Sequence, residues 1–207
     1  MSIFVLQPAA AVGEDTSLLS GSPTRNFGDN TLLFIGNNPS DTDVATARAV
    51  IRFAELITKI PKHRAVNSAV LSLYLAQDYS GSTSNVDIHR SLRMWVEAQA
   101  TYNIWKTGSS WTSGGGRSSG NDREAALLGT QFLSASEAIG WKNWTLDTNL
   151  IFEIINGIVP NYGFWAQSRE GSDDLYTYRS SDHATDNTRP KLTLDIDDGL
   201  GGEMAIL

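Results

Sequence analysis

Three histidines, His63, His89 and His183, are the residues best suited to acid–base or metal chemistry. None stands in an HxH or HExxH pattern, and the chain has no cysteine to complete a zinc set. Ser180-Ser181-Asp182-His183 contains the residue types of a catalytic triad. Adjacent residues cannot converge on one reacting atom, because nucleophile, base and orienting acid must come from separate elements. The run therefore reads as a polar turn. A glycosidase would need two carboxylates across a cleft. Glu97, Glu124, Glu153, Glu170, Asp173 and Asp174 are available, and none is framed by a motif. The expectation is a chain that is not an enzyme. Calcium asks for less, since it takes oxygen ligands from loop carboxylates and carbonyls. Asp15 with Glu14, Asp29, Asp41 with Asp43, and Asp173 with Asp174 are the candidates. A structural calcium is the only cofactor these residues suggest, and no EF-hand pattern supports it.

Six tryptophans open a different chemistry. Flat rings pack against the C–H faces of sugars, while nearby polar groups fix orientation. Trp105 and Trp111 lie in a loop-rich stretch, where they would either form such a ligand-binding platform or anchor the loop. Trp95, Trp144 and Trp165 sit in apolar segments and are expected in the core.

The elements that would position these residues are mostly strands. Residues 31–36, 49–53, 70–75, 86–90, 144–146, 163–167, 175–178 and 191–196 carry short apolar or alternating runs between Gly, Pro, Asn, Asp and Ser clusters. Leu71, Leu73 and Leu75 share one face, as do Leu192, Leu194 and Ile196. One helix is expected, capped by Thr148, with Leu150, Ile151, Ile154 and Ile155 as its apolar stripe and Asn156-Gly157 as its stop. A further helical turn from Asn121, with Glu124 completing a capping box, would be minor. Residues 108–120 are Ser/Gly-rich and predict a mobile surface loop that buries little. This pattern predicts an all-β, jelly-roll-like antiparallel β-sandwich with one short helix. It forms one domain over residues 14–197, between an N-terminal arm (1–13) and a C-terminal tail (198–207).

The chain has 207 residues and a formal net charge of −7, with no Lys/Arg cluster. A nucleic-acid partner is not expected, since phosphate neutralisation needs clustered cations. No apolar run approaches a membrane-spanning length, and the start shows no signal-peptide pattern. Both ends are apolar: Ile3 and Phe4 at the start, Met204, Ile206 and Leu207 at the close. Each end either packs back on the domain or docks on a neighbouring subunit.

Several blocks resemble one family. Asp15-Thr16, Pro23-Thr24, Asn26-Phe27-Gly28 and Gly36 resemble the opening of DNRLRE-type β-sandwich domains, which are related to disaggregatase repeats and alginate-binding modules. Arg48 to Phe53 is similar to that family's second strand. Trp95, Glu97, Thr101, Tyr102 and Asn103 resemble its W-x-E-x3-T-W-N block, with Tyr102 in place of Trp. Asn156-Gly157 with Asn161-Tyr162-Gly163, then Tyr178 to Asp182 and Arg189-Pro190-Lys191-Leu192, follow in the same order. The resemblance implies a jelly-roll-like sandwich and a non-catalytic module. Such domains also stand alone as virion proteins of tailed phages.

These observations together lead to the expectation of a structural or binding module. The first reading is a phage virion protein, of capsid decoration, cement or fibre type, made in the host cytoplasm and contacting neighbouring subunits as a homo-oligomer. The alternative is an extracellular carbohydrate-binding module for a polysaccharide. Its net acidity argues against a polyanionic sugar unless a local basic patch exists.

Overall fold

A computed structural model describes residues 1–169 and 173–199. The first half of the chain forms β1 (Ser2–Leu6), β2 (Glu14–Leu19), β3 (Leu32–Asn38), β4 (Ala45–Arg52), α1 (Leu56–Lys59), β5 (Val66–Asp78) and β6 (Ser84–Arg90). The second half forms β7 (Ile104–Lys106), β8 (Ser109–Ser110), β9 (Gly129–Leu133), β10 (Gly140–Thr145) and α2 (Thr148–Asn156). It closes with β11 (Phe164–Ser168), β12 (Tyr176–Arg179) and β13 (Lys191–Ile196). Every named strand pair is antiparallel, so the all-β sandwich is present as expected.

One curled sheet supplies both layers of the sandwich. In the first layer β1 pairs with β13 and β13 with β5; β12 also pairs with β5, and β10 runs along β5 residues 70–75. The second layer runs in the order β2, β4, β11, β6, β9. β3 belongs to both: residues 32–35 pair with β12, and residues 36–38 pair with β4. The change of partner falls on Gly36, whose φ is +128°. A Cβ there would lie 2.1 Å from the Asp174 carbonyl oxygen. Glycine is thus required by conformation and by space.

Between the layers the period-2 pattern does what it predicts. Leu71, Leu73 and Leu75 of β5 and Leu192, Leu194 and Ile196 of β13 face Ala49 and Ile51 of β4, Val86 and Ile88 of β6 and Phe164 of β11 in one core. α2 adds Ile151, Ile154 and Ile155 to that core. Its N-cap is Asp147 rather than Thr148; the Asp147 carboxylate accepts from the backbone N–H groups of Asn149 and Leu150. Gly157 ends the helix at φ +72°, the left-handed stop that the sequence predicts.

The apolar start packs back on the domain, the first of its two readings: residues 2–6 pair along their whole length with β13. Two expectations are corrected. Residues 121–124 form a turn and not a helix, and Glu124 pairs with Arg90 at 2.8 Å. Residues 108–120 do not lie loosely on the surface. With residues 91–107 they cover the outer side of the second layer, where Leu18, Val50, Trp95, Ala100, Trp111 and Trp165 form a second core. Gly115 and Gly116 are buried there, and the Gly115 carbonyl accepts from Trp165 Nε1 at 3.0 Å. Composition alone suggested mobility. In fact the absent side chains let the backbone approach three aromatic rings, those of Tyr102, Trp111 and Trp165.

Replacing Gly36 by Ala is expected to lower unfolding free energy by about 2–3 kcal/mol, the cost of a strained φ plus a backbone clash. Urea titration monitored by tryptophan fluorescence measures this, and an unchanged midpoint would contradict the account of the strand crossover.

Candidate functional site

The residue types that suggested chemistry are dispersed by the fold. His89 on β6 is buried; its Nδ1 lies 3.0 Å from the Ala126 carbonyl oxygen, and its ring meets Trp165 edge to face. Burial, then the Arg123 charge, pushes its pKa below the usual imidazole value. Ser180 to His183 is a turn: Ser180 Oγ donates to the Asn30 carbonyl at 2.6 Å, and His183 Nδ1 accepts from the Thr185 N–H at 3.0 Å. One pattern was overlooked in the sequence. Gly116-Arg117-Ser118-Ser119-Gly120 spells G-x-S-x-G. A nucleophile elbow joins a strand to a helix. This stretch instead follows a 3-10 turn, and the Asn121 and Asp122 N–H groups fold back on the Ser118 carbonyl.

The calcium candidates are likewise used in local folding. Asp41 Oδ1 accepts from the Asp43 and Val44 N–H groups, and Asp174 Oδ1 accepts from the Asn37 N–H at 2.8 Å. Asp15 pairs with Ile51 of β4, whereas Asn37 pairs with Thr46. Five residues of strand, about 16 Å, therefore separate Asp15 from Asp174 and its neighbour Asp173. Among the described residues, no group of three or more His, Asp or Glu side chains is placed to hold a metal ion.

One carboxyl group has an unusual environment. Asp15, at the start of β2, is 1 % exposed. Its N–H donates to Glu97 Oε1 at 2.8 Å, and its Oδ2 accepts from the Ser181 N–H at 2.7 Å. Its Oδ1 and the Ser181 Oγ are buried without a hydrogen-bond partner among the described residues. Asn26 Nδ2 donates to the Glu97 and Ala100 carbonyls at 2.6 and 2.7 Å, and Gly28 packs on the same loop. Glu14, next to Asp15, pairs with Arg52. The second calcium candidate, Asp29, is exposed on the rim, where it lines a groove with Glu97 and Asp182. Burial raises Asp15 to about 8, and the nearby Glu97 and Asp182 charges add to the rise. Burial raises Glu97 to about 7, and Asp182 and Glu14 push the same way. Both shifts favour the neutral acid, and a hydrogen on Oδ1 removes the charge that burial penalises. The junction therefore ties four segments together as a carboxyl–amide knot.

The loop tryptophans and the outward rings of the first layer differ in exposure. Trp111 is 5 % exposed, and its Nε1 donates to the Thr101 carbonyl at 2.8 Å. It anchors the covering segment and offers no open ring, which is the second of the two roles open to it. Trp105 is only partly buried, with the Lys106 ammonium 4.7 Å from its ring centre. An open aromatic pair is found instead on the outer side of the first layer. Tyr74 of β5 and Trp141 of β10 are register partners, both partly exposed, with ring centres 5.5 Å apart and planes at 85°. Lys191 Nζ stands 3.9 Å from the Trp141 ring, and the Arg179 guanidinium stands 4.6 Å from the Tyr74 ring. Ser72 Oγ donates to Asn143 Oδ1 at 2.7 Å beside them. Two cations on two rings form a local basic patch on an acidic protein. Strand alternation carries the same outer face across to Ile3 and Val5 of β1, which are 59 % and 56 % exposed. The signal that could have found it was the pairing of Tyr74 and Lys191 with the leucine alternation of β5 and β13. Of the partner residues, Ile3 lies on this outer face and Phe4 packs inward against the core. Met204, Ile206 and Leu207 lie outside the described residues.

The carboxyl junction sets the pH behaviour. Asp15 binds its proton more tightly in the folded than in the unfolded chain, so its contribution to stability is full below about pH 4 and is lost as pH rises through about 8. Asp15→Asn keeps the shape without the charge. It is expected to raise stability by several kcal/mol at pH 9 and to change it little at pH 4. Thermal unfolding of both proteins across that range measures the difference, and parallel curves would refute the assignment.

No curated protein matches this chain. The family model described as the disaggregatase-related repeat domain matches residues 15–194. That span begins at the buried Asp15 and contains Asn26, Gly28, Glu97 and Ser181, so part of the family resemblance falls on the carboxyl–amide knot. The chain therefore belongs to the disaggregatase-related repeat domain family, a family of β-rich binding or structural modules.

Proposed function

We propose that this chain is a non-catalytic structural subunit that joins a larger protein assembly, a phage virion, through the open side of its first layer. One observation carries the reading: among the described residues β1 stands at the end of the sheet with no strand beyond it, and its outward side chains Ile3 and Val5 are more than half exposed. Free edges are usually blunted by a charge, a proline or a bulge. Ser2–Leu6 has none of these, and its register with β13 is unbroken. An apolar unprotected edge suits a strand supplied by a neighbour, where main-chain bonds give affinity and side chains give register. The second layer, in contrast, is covered by its own chain. Such a subunit would be made in a host cytoplasm and would need no cofactor for its contact. In the test, particles are assembled in the producing cell with wild-type or Ile3→Glu/Val5→Glu chain and purified. The variant is expected to fold, because both side chains are exposed, and to be depleted from particles about tenfold or more, a loss of some 1.4 kcal/mol. Equal incorporation would remove β1 from the contact.

A second reading is favoured by the Tyr74–Trp141 pair. Two partly exposed rings flanked by Lys191 and Arg179 could seat a polysaccharide, in an extracellular setting, with the cations supplying the basic patch that net charge lacks. Glycan-array binding should then disappear in Tyr74→Ala/Trp141→Ala and persist in Trp105→Ala. An array with no binding by the wild-type chain excludes this reading.

A further inference from the structure

We infer that the partner that completes the β1 edge is a second copy of this chain, paired antiparallel with the first about a twofold axis through Phe4. The inference deepens the subunit reading above and rests on it. In a twofold antiparallel pair, each residue meets the one whose number brings the sum to a constant. A sum of 8 is the register in which all of Ser2–Leu6 is paired. Ser2 then faces the partner's Leu6, Ile3 faces the partner's Val5, and Phe4 faces the partner's Phe4. Any other register leaves strand residues unmatched at both ends. A slip of a single residue would also turn exposed side chains to the core side.

The chosen register is self-complementary in chemistry. Ile3 and Val5 are the two exposed apolar residues of the strand, and each covers the other's copy. Phe4 packs inward, beside a groove of about 190 Å³ lined in part by Ser2, Pro61, Arg64 and Ile196. The partner's Phe4 arrives on that same side. No residue of the strand carries a charge, so twofold pairing brings no like charges together within it. Alternation also keeps the two outer faces on one side of the joined sheet. The pairs Tyr74–Trp141 of both copies would then look in the same direction, so a dimer presents two aromatic–cationic patches at once.

The test is charge exchange across the pair, read as solution mass by sedimentation equilibrium of the full chain. Wild type should weigh twice its 22.5 kDa chain mass as concentration rises. Ile3→Lys/Val5→Lys and Ile3→Glu/Val5→Glu should each remain at 22.5 kDa, because Lys then faces Lys and Glu faces Glu. Mixing the two variants should restore the doubled mass, and the effect should weaken in salt. Circular dichroism confirms that each variant is folded. A wild-type chain that stays monomeric to its solubility limit overturns the dimer, as does a dimer whose mass ignores both variants. Either result leaves the subunit reading standing on particle incorporation, where a different strand would fill the edge.

Discussion

The outer side of the second layer must be dry, and the rest of the molecule is arranged around meeting that demand. Ala49, Val50 and Ile51 are consecutive and all buried, so β4 cannot turn one face to water. Trp165 beside Val50 adds a large apolar side chain on the same face. The covering segment meets this with Trp95, Trp111 and Tyr102, and it buries Arg48 between the Tyr102 and Trp165 rings at 5.9 and 5.8 Å. An arginine suits that slot because its flat guanidinium stacks on rings and is weakly hydrated. Glycines at 115 and 116 let the backbone come close enough for its carbonyl to take the indole hydrogen. One side of the sandwich is thereby sealed by the chain itself, and the other keeps partly exposed rings and the outward side chains of β1.

Several of the residues that carry the family resemblance belong to this sealing. Asn26, Gly28, Glu97, Asp15 and Ser181 come from segments far apart in sequence and meet at the rim of the covered layer. Their work is to hold loops at fixed distances by side chain to main chain bonds. A buried carboxyl does this well when it is neutral, since it then bonds amides without an ion's desolvation cost. Motif and open face overlap in part: Arg179 and Lys191, which stand on the Tyr74 and Trp141 rings, lie in the last two of the family-like blocks.

The sequence made the layers legible because alternation is local. Leu71, Leu73 and Leu75 declare one inward face of β5, and the intervening Ser72 and Tyr74 declare the open one. The unbroken apolar run of β4 carried the opposite message, that both its faces are covered. The Ser/Gly content of residues 108–120 concealed what covers it. Composition reports backbone freedom, and only tertiary placement shows that the freedom is spent against aromatic rings. Asp147 and Thr148 are both good caps, and the difference of one residue is set by where the preceding strand releases the chain. The Tyr74–Trp141 pair joins residues that only the register of β5 with β10 brings together.

The antiparallel partnership of β1 and β13 has a mechanical consequence. Ser2 lies opposite Ile196, and the Met1 ammonium pairs with Asp198, so both ends of the sandwich leave at one corner. Tension between those ends would act across the ladder at its first rung and open it one hydrogen bond at a time, as a zipper opens. The same ladder pulled along its strands would load every rung together. A module built this way resists drag applied through its face far better than traction applied through its ends.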